Sequence, residues 1–278
     1  MKRITGPRAR GLVLIAVVVT ALAAACAPPP VLVPVTIYNS NPSPVPGNVI
    51  SQGFQCCQVS EFGDEIKFAG TARVLQSATV TMSNWAIHST PANLAVGNAT
   101  GWDQPLTLNI YAVGPTTIAG EPTLGSLLGT VTQTFHIPWR PEPDAINCPG
   151  NPTKFQSTPG APDTNCFNGL ANQVTFNLGS LGLTAPDRIV WGVAFNTQSY
   201  GAAPIGVDGP YNSLNVGAEG SGASVGSDVD PAVAWGASTW GSFYCDGGAG
   251  GSTFRADMGC AVGSDWTGLT PEISFTAL

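Results

Sequence analysis

The sequence predicts an all-β fold: a two-sheet sandwich of jelly-roll-like character, carrying two long disulfide-stapled insertions. Three observations predict it. Short runs of alternating apolar and polar residues recur along the chain, and no segment shows a 3.6-residue apolar period. Turns rich in Gly and Pro separate the runs, with 34 Gly and 24 Pro among 278 residues. Charge is sparse at 10%, but 43% of residues are hydrophobic, enough to build a core and to set the chain apart from disordered polar sequences.

Residues 1–25 read as an export signal. Lys2, Arg3, Arg8 and Arg10 form a basic n-region, and "GLVLIAVVVTALAAA" (Gly11 to Ala25) is the apolar h-region. That run of 15 residues falls short of the about 20 that a membrane span needs. Cys26 follows three alanines and precedes a proline-rich stretch. This setting resembles the lipobox of bacterial lipoproteins, with Leu22 one place earlier than the usual apolar residue, and it makes Cys26 the candidate lipidation site. Ordinary cleavage after the alanines would instead leave Cys26 unmodified. Removing the signal leaves six basic against seventeen acidic residues, a net charge of −11 instead of −7. Such a chain repels phosphate backbones, so nucleic-acid binding is not expected, and contact with a membrane is expected only through the lipid.

Residues 26–46 hold seven prolines and are expected to form a semi-rigid tether, within which "VTIY" can add an edge strand. A single β-sandwich domain is expected over residues 47–278. Its strands are read at "EIKFA" (Glu65 to Ala69), "SATVTMSNWA" (Ser77 to Ala86), "PLTLNIYAV" (Pro105 to Val113) and "GTVTQTFHI" (Gly129 to Ile137). Further strands follow at "QVTFNL" (Gln173 to Leu178), "RIVWGVAFN" (Arg188 to Asn196), "SLNVG" (Ser213 to Gly217), "AVAWG" (Ala232 to Gly236) and "PEISFTA" (Pro271 to Ala277). The alternation implies that one face of each strand meets water. Two insertions, Pro138 to Leu170 and Gly236 to Thr270, break the rhythm, and each holds two cysteines.

There are seven cysteines; with Cys26 set apart the other six can pair. Cys148 and Cys166 close the first insertion and form the natural local pair. Cys56 and Cys57 could bond each other, but a vicinal bridge strains its peptide. Pairing with Cys245 and Cys260 is therefore expected, and a local Cys245–Cys260 bridge is the alternative.

Several phrases together, "SEFGDEIKFAG", "SATVTMSNWA", "QTFHIPWRPEPD", "WGVAFNTQSYGAAPIG" and "GPYNSLNVG", resemble a family of secreted, Gly/Thr-rich proteins of unknown function, found mainly in bacteria. The resemblance spans about Gly47 to Leu278 and implies a single secreted β domain. It transfers no catalytic residue or ligand. Cys148 and Cys166 fit the family's pattern, whereas Cys56, Cys57, Cys245 and Cys260 depart from it, and four extra cysteines arriving together fit cross-pairing.

Candidate chemistry is thin. "EFGDE" puts Glu61 and Glu65 on one strand face and Asp64 on the other, which is the wrong spacing for the paired carboxylates of a glycosidase, and a solvated strand start is the expected reading. Of the two histidines, His136 lies on the polar face of its strand and reads as a surface residue. No nucleophile elbow or zinc motif occurs. Asp228 and Asp230 in "SDVDP" suggest a structural calcium, though turn-forming aspartates explain the pair as well; no other cofactor is called for. Among seven tryptophans, Trp85, Trp191 and Trp235 sit in strand patterns and are expected in the core. Trp102, Trp139, Trp240 and Trp266 sit in loop contexts. They are the binding candidates for a glycan or other extracellular polymer, although capping the sandwich ends is the expected role for any one of them. The expectation is an exported, non-catalytic cell-surface binding domain; a carbohydrate-active hydrolase and a structural envelope protein are the competing classes.

Overall fold

The computed structural model describes residues 32–116, 122–157, 164–200, 206, 209–220, 222–231, 233–238, 253–256 and 268–278. The segment read as an export signal, Cys26, Trp240, Trp266, Cys245 and Cys260 lie outside the described residues. In chain order the strands are β1 (Val35–Asn39), β2 (Ser51–Gly53), β3 (Val59–Lys67), β4 (Leu75–Asn84), β5 (Gly101–Thr116), β6 (Pro122–Pro138), β7 (Phe155–Gln156) and β8 (Cys166–Phe167). They continue as β9 (Leu170–Asn177), β10 (Arg188–Ala194), β11 (Leu214–Glu219), β12 (Ser227–Asp228), β13 (Trp235–Ser238), β14 (Arg255–Ala256), β15 (Thr270–Pro271) and β16 (Ile273–Ala277). A short helix α1 (Pro91–Val96) opens with Pro in its first turn and is the one α-helix among the described residues.

Two antiparallel sheets pack face to face. The first runs β1-β16-β4-β11-β15, with β2 also on β11 and β9 also on β4; the second runs β14-β13-β3-β10-β5-β6, with β12 also on β3. The chain repeatedly crosses between sheets, as a jelly roll does. Alternation drives the packing. Ala78, Val80 and Met82 of β4 are fully buried, in register with Val174 and Phe176 of β9 and Ile273 and Phe275 of β16. On the opposite face the hydroxyls of Ser77 and Thr276 pair at 2.7 Å, and those of Thr79 and Thr175 at 2.9 Å. Within the second sheet, Leu108, Ile110 and Ala112 of β5 pair with Val193, Trp191 and Ile189 of β10.

One expectation is met and two need correction. The edge strand allowed for at "VTIY" forms as β1, which pairs with β16 and buries Ile37 and Tyr38. At β10 both faces are covered, not one: Val190 joins Val233, Trp235, Ala237, Phe254 and Ala256 in a second apolar cluster. The continuous apolar run of "RIVWGVAFN" records this two-sided burial. Finally, Cys56 bonds Cys57 and not Cys245 or Cys260. The turn after β2 folds tightly, with the amides of Cys57 and Val59 both donating to Phe54 O, and it sets the two sulfurs side by side. Cys148–Cys166 forms as expected and closes the first insertion around the β7–β8 ladder.

Candidate functional site

Trp102 and Trp139 are not binding platforms. Trp102 is 1% exposed and Trp139 9%; their rings lie 4.8 Å apart at one end of the sandwich. Each indole N–H is satisfied inside: Trp102 Nε1 donates to Gln104 Oε1 (3.3 Å), and Trp139 Nε1 to Asn98 O (2.7 Å). They cap the core. Trp191 and Trp235 are buried as expected, but Trp85 is 44% exposed. Strand β4 explains why. Its inward series is Ala78, Val80, Met82 and Asn84, so Trp85 continues the outward series of Thr79, Thr81 and Ser83. The parity was present in the sequence, and the apolar character of the indole masked it.

Trp85 stands at a recess of about 350 Å³ together with Ser51, Gly53, Cys56, Asn212, Ser213 and Asn215. Each element has a reason to be there. Trp85 Nε1 donates to Ser83 Oγ (3.1 Å), which fixes the edge of the indole; Gly169 makes room, since a Cβ there would fall 2.6 Å from that nitrogen. Asn215 lies opposite Gly53 in the β11–β2 register, and its Nδ2 donates to Ser51 Oγ (3.0 Å). Gly53 leaves space for the exposed Cys56, whose Sγ sits 2.6 Å from where a Cβ would be. Below the turn, Phe54 stacks on Phe195 with centroids 4.0 Å apart. Asn212 Oδ1 accepts from Gln198 N (2.9 Å), so this amide is oriented before any ligand arrives. Aromatic, amide, hydroxyl and sulfur surfaces thus meet without a charged side chain among the lining residues. Such a surface suits a neutral ligand with an apolar face and a hydroxyl-rich edge.

The acidic residues are committed elsewhere. Glu61 and Glu65 share the outward face of β3, and Asp64 points inward, as the alternation indicates. Glu61 accepts from Asn109 Nδ2 and Tyr111 Oη, both at 2.9 Å; Glu65 pairs with Arg188. Four residues along a strand separate the two outward carboxylates by about 13 Å, beyond the about 5–9.5 Å of glycosidase pairs. Asp228 Oδ1 accepts from Asp230 N (3.1 Å) and Oδ2 from Thr270 Oγ1 (2.8 Å), the pattern of a turn-forming aspartate. No group of three His, Cys, Asp or Glu among the described residues is gathered to hold a metal.

One constellation has the outline of a triad: His136 Nδ1 lies 3.1 Å from Asp103 Oδ1, and Nε2 lies 2.9 Å from Thr100 Oγ1. Its details do not suit acyl transfer. Thr100 Oγ1 donates to Asn98 Oδ1 (2.7 Å), and the amides of Thr100 and Gly101, the nearest source of an oxyanion hole, donate to the same oxygen. The Asp103 side chain is 74% exposed, so it is poorly held to orient a base. His136 is a surface histidine bonded to the Thr100 hydroxyl of an Asx turn that Asn98 closes.

The solvated strand start expected at "EFGDE" is instead enclosed: Asp64 lies in the core, and Glu65 is buried beneath the Arg188 side chain it pairs with. Asp64 is 1% exposed, in register with Trp191; Oδ1 accepts from Glu65 N (2.8 Å), and Oδ2 has no partner among the described residues. Burial, then the charge of Asp228, holds its carboxyl well above the usual carboxylate range. Burial also raises Glu61 and Asp228, and burial followed by the charge of Asp64 raises the Tyr38 phenol. Asp228, Glu65 and Asp230 are the charged neighbours of Asp64. A carboxyl raised in the folded state adds stability that is full below its ordinary value and is lost as the pH climbs through the folded one. The melting temperature is therefore expected to rise as the pH falls from neutral towards the ordinary carboxylate range. Asp64→Asn should raise it at neutral pH and flatten the profile. A profile of unchanged slope in that variant would refute the assignment.

Comparison with protein-family models, curated proteins and solved structures finds no match for this chain.

Proposed function

We propose that the protein is an exported, lipid-anchored cell-surface domain that binds a glycan or similar extracellular polymer without modifying it, through the recess at Trp85. One observation carries the reading: an exposed indole stands beside two amides, Asn212 and Asn215, in a recess with no charged lining. Aromatic faces hold the C–H face of a sugar, and oriented amides meet its hydroxyls. The mature charge of −11 disfavours polyanionic partners, which supports a neutral polymer. Export is supported by the signal-like N-terminus and the Cys148–Cys166 bridge, and lipid anchoring by the setting of Cys26.

The test is calorimetry against cellohexaose, chitohexaose, mannohexaose and xylohexaose, with reducing-end release measured in parallel. Binding of at least one oligosaccharide without cleavage is expected. Trp85→Ala should weaken it by about thirtyfold or more, the loss of an aromatic anchor worth about 2 kcal/mol. Equal binding by the variant would remove Trp85 from the site, and release of reducing ends would replace binding by hydrolysis.

A further inference from the structure

The Cys56–Cys57 bridge joins residues one apart, whereas Cys148–Cys166 spans 18. Loop-closure stabilisation grows with the logarithm of the loop, so a bridge between neighbours constrains almost nothing in the unfolded chain. It ties no remote segment to the sandwich. Its position is more telling: Cys57 is buried, while Cys56 is exposed at the recess, seated over Gly53 next to Asn215. Gln58, the next residue, holds φ 56°, a left-handed conformation unusual for a residue with a side chain. Non-glycine residues in that region cluster where a loop must present a fixed surface.

Resting on the sugar-binding reading above, we propose that the Cys56–Cys57 disulfide is itself a ligand-contacting element, and that its reduction switches the recess off for neutral sugars. The closed ring offers a rigid, polarizable, apolar surface beside the Trp85 indole, suited to the C–H face of a pyranose. The chemistry is a two-electron reduction by a dithiol. A thiolate attacks the exposed Cys56 Sγ, and Cys57 Sγ leaves and takes a proton. The reagent's second thiol then displaces Cys56, so the dithiol ends as a cyclic disulfide and the protein holds two thiols. The exposed Cys56 side chain then turns freely while Cys57 stays packed in the core, and the closed surface is lost.

The same four hexaoses are titrated into oxidised wild type, dithiothreitol-treated wild type, Cys56→Ser/Cys57→Ser and Cys148→Ser/Cys166→Ser. Oxidised wild type should bind. Reduction and the Cys56/Cys57 variant should each weaken binding about tenfold, while the melting temperature of that variant stays near wild type. The Cys148/Cys166 variant should bind and keep its sensitivity to dithiothreitol. Wild-type affinity in Cys56→Ser/Cys57→Ser overturns the disulfide's role and leaves sugar binding standing; no binding by oxidised wild type overturns both. Should the Cys56/Cys57 variant misfold, reduction and re-oxidation of wild type decides. Loss and recovery of binding in folded protein supports the switch, and indifference to reduction refutes it.

Discussion

Replacing Trp102 by Ala is expected to destabilise the protein by about 3–5 kcal/mol, the usual cost of deleting a large aromatic from a core. The indole is 1% exposed, packs 4.8 Å from the Trp139 ring and satisfies its N–H on Gln104, itself fully buried. Truncation leaves a cavity at the end of the sandwich and strands the Gln104 amide oxygen. Sugar affinity at the Trp85 recess should not change, because neither Trp102 nor Trp139 lines it. Denaturant midpoints and calorimetry on one preparation check both halves. A well-folded variant of undiminished stability that no longer binds sugar would return Trp102 to the ligand site and displace Trp85 as its anchor.

Gly63→Val is expected to cost about 3 kcal/mol or more, the upper end of overpacking, since the obstructing atoms are backbone and cannot rotate away. Gly63 faces Gly192 in the β3–β10 register, and a Cβ on it would fall 1.7 Å from Trp191 O and 2.7 Å from Gly192 Cα. Two central strands would have to separate. For a domain with about 5–15 kcal/mol in total, such a loss leaves little folded protein at elevated temperature. Gly150→Ala is the contrast: nothing lies within 4 Å of its would-be Cβ, so its stability should stay within about 0.5 kcal/mol of wild type. Comparable losses in both variants would show that glycine flexibility, and not close approach of the strands, governs Gly63.

The strands were legible because alternation is local. Ala78, Val80 and Met82 of "SATVTMSNWA" and Leu106, Leu108 and Ile110 of "PLTLNIYAV" alternate with polar residues, and all six are fully buried in β4 and β5. The same local rule put Trp85 on the outward parity of β4, but Thr81 and Ser83 of that parity are fully buried, so its exposure was decided by what packs above it. Residue type was a poorer guide than position: the indole of Trp85 in a strand pattern is exposed, whereas Trp102 and Trp139, kept as binding candidates although capping was the expected role, are enclosed as caps. Likewise the glycine in "EFGDE" looked like an ordinary strand residue until its neighbour proved to be Gly192, more than a hundred positions away.

The sequence by itself determined the class of fold, the alternating faces of the strands and the Cys148–Cys166 pair, because each depends on neighbours along the chain or on a single loop. Only the tertiary structure decided which outward faces stay wet. The outer side of β10 is covered by Trp235 and Phe254, whereas the outer end of β4 is left open beside a disulfide from the β2–β3 turn. It also decided that Cys56 bonds Cys57. These outcomes depend on which distant segments come to rest on a given surface. Periodicity records the angle of a side chain to its own strand, and it carries no information about what arrives on top.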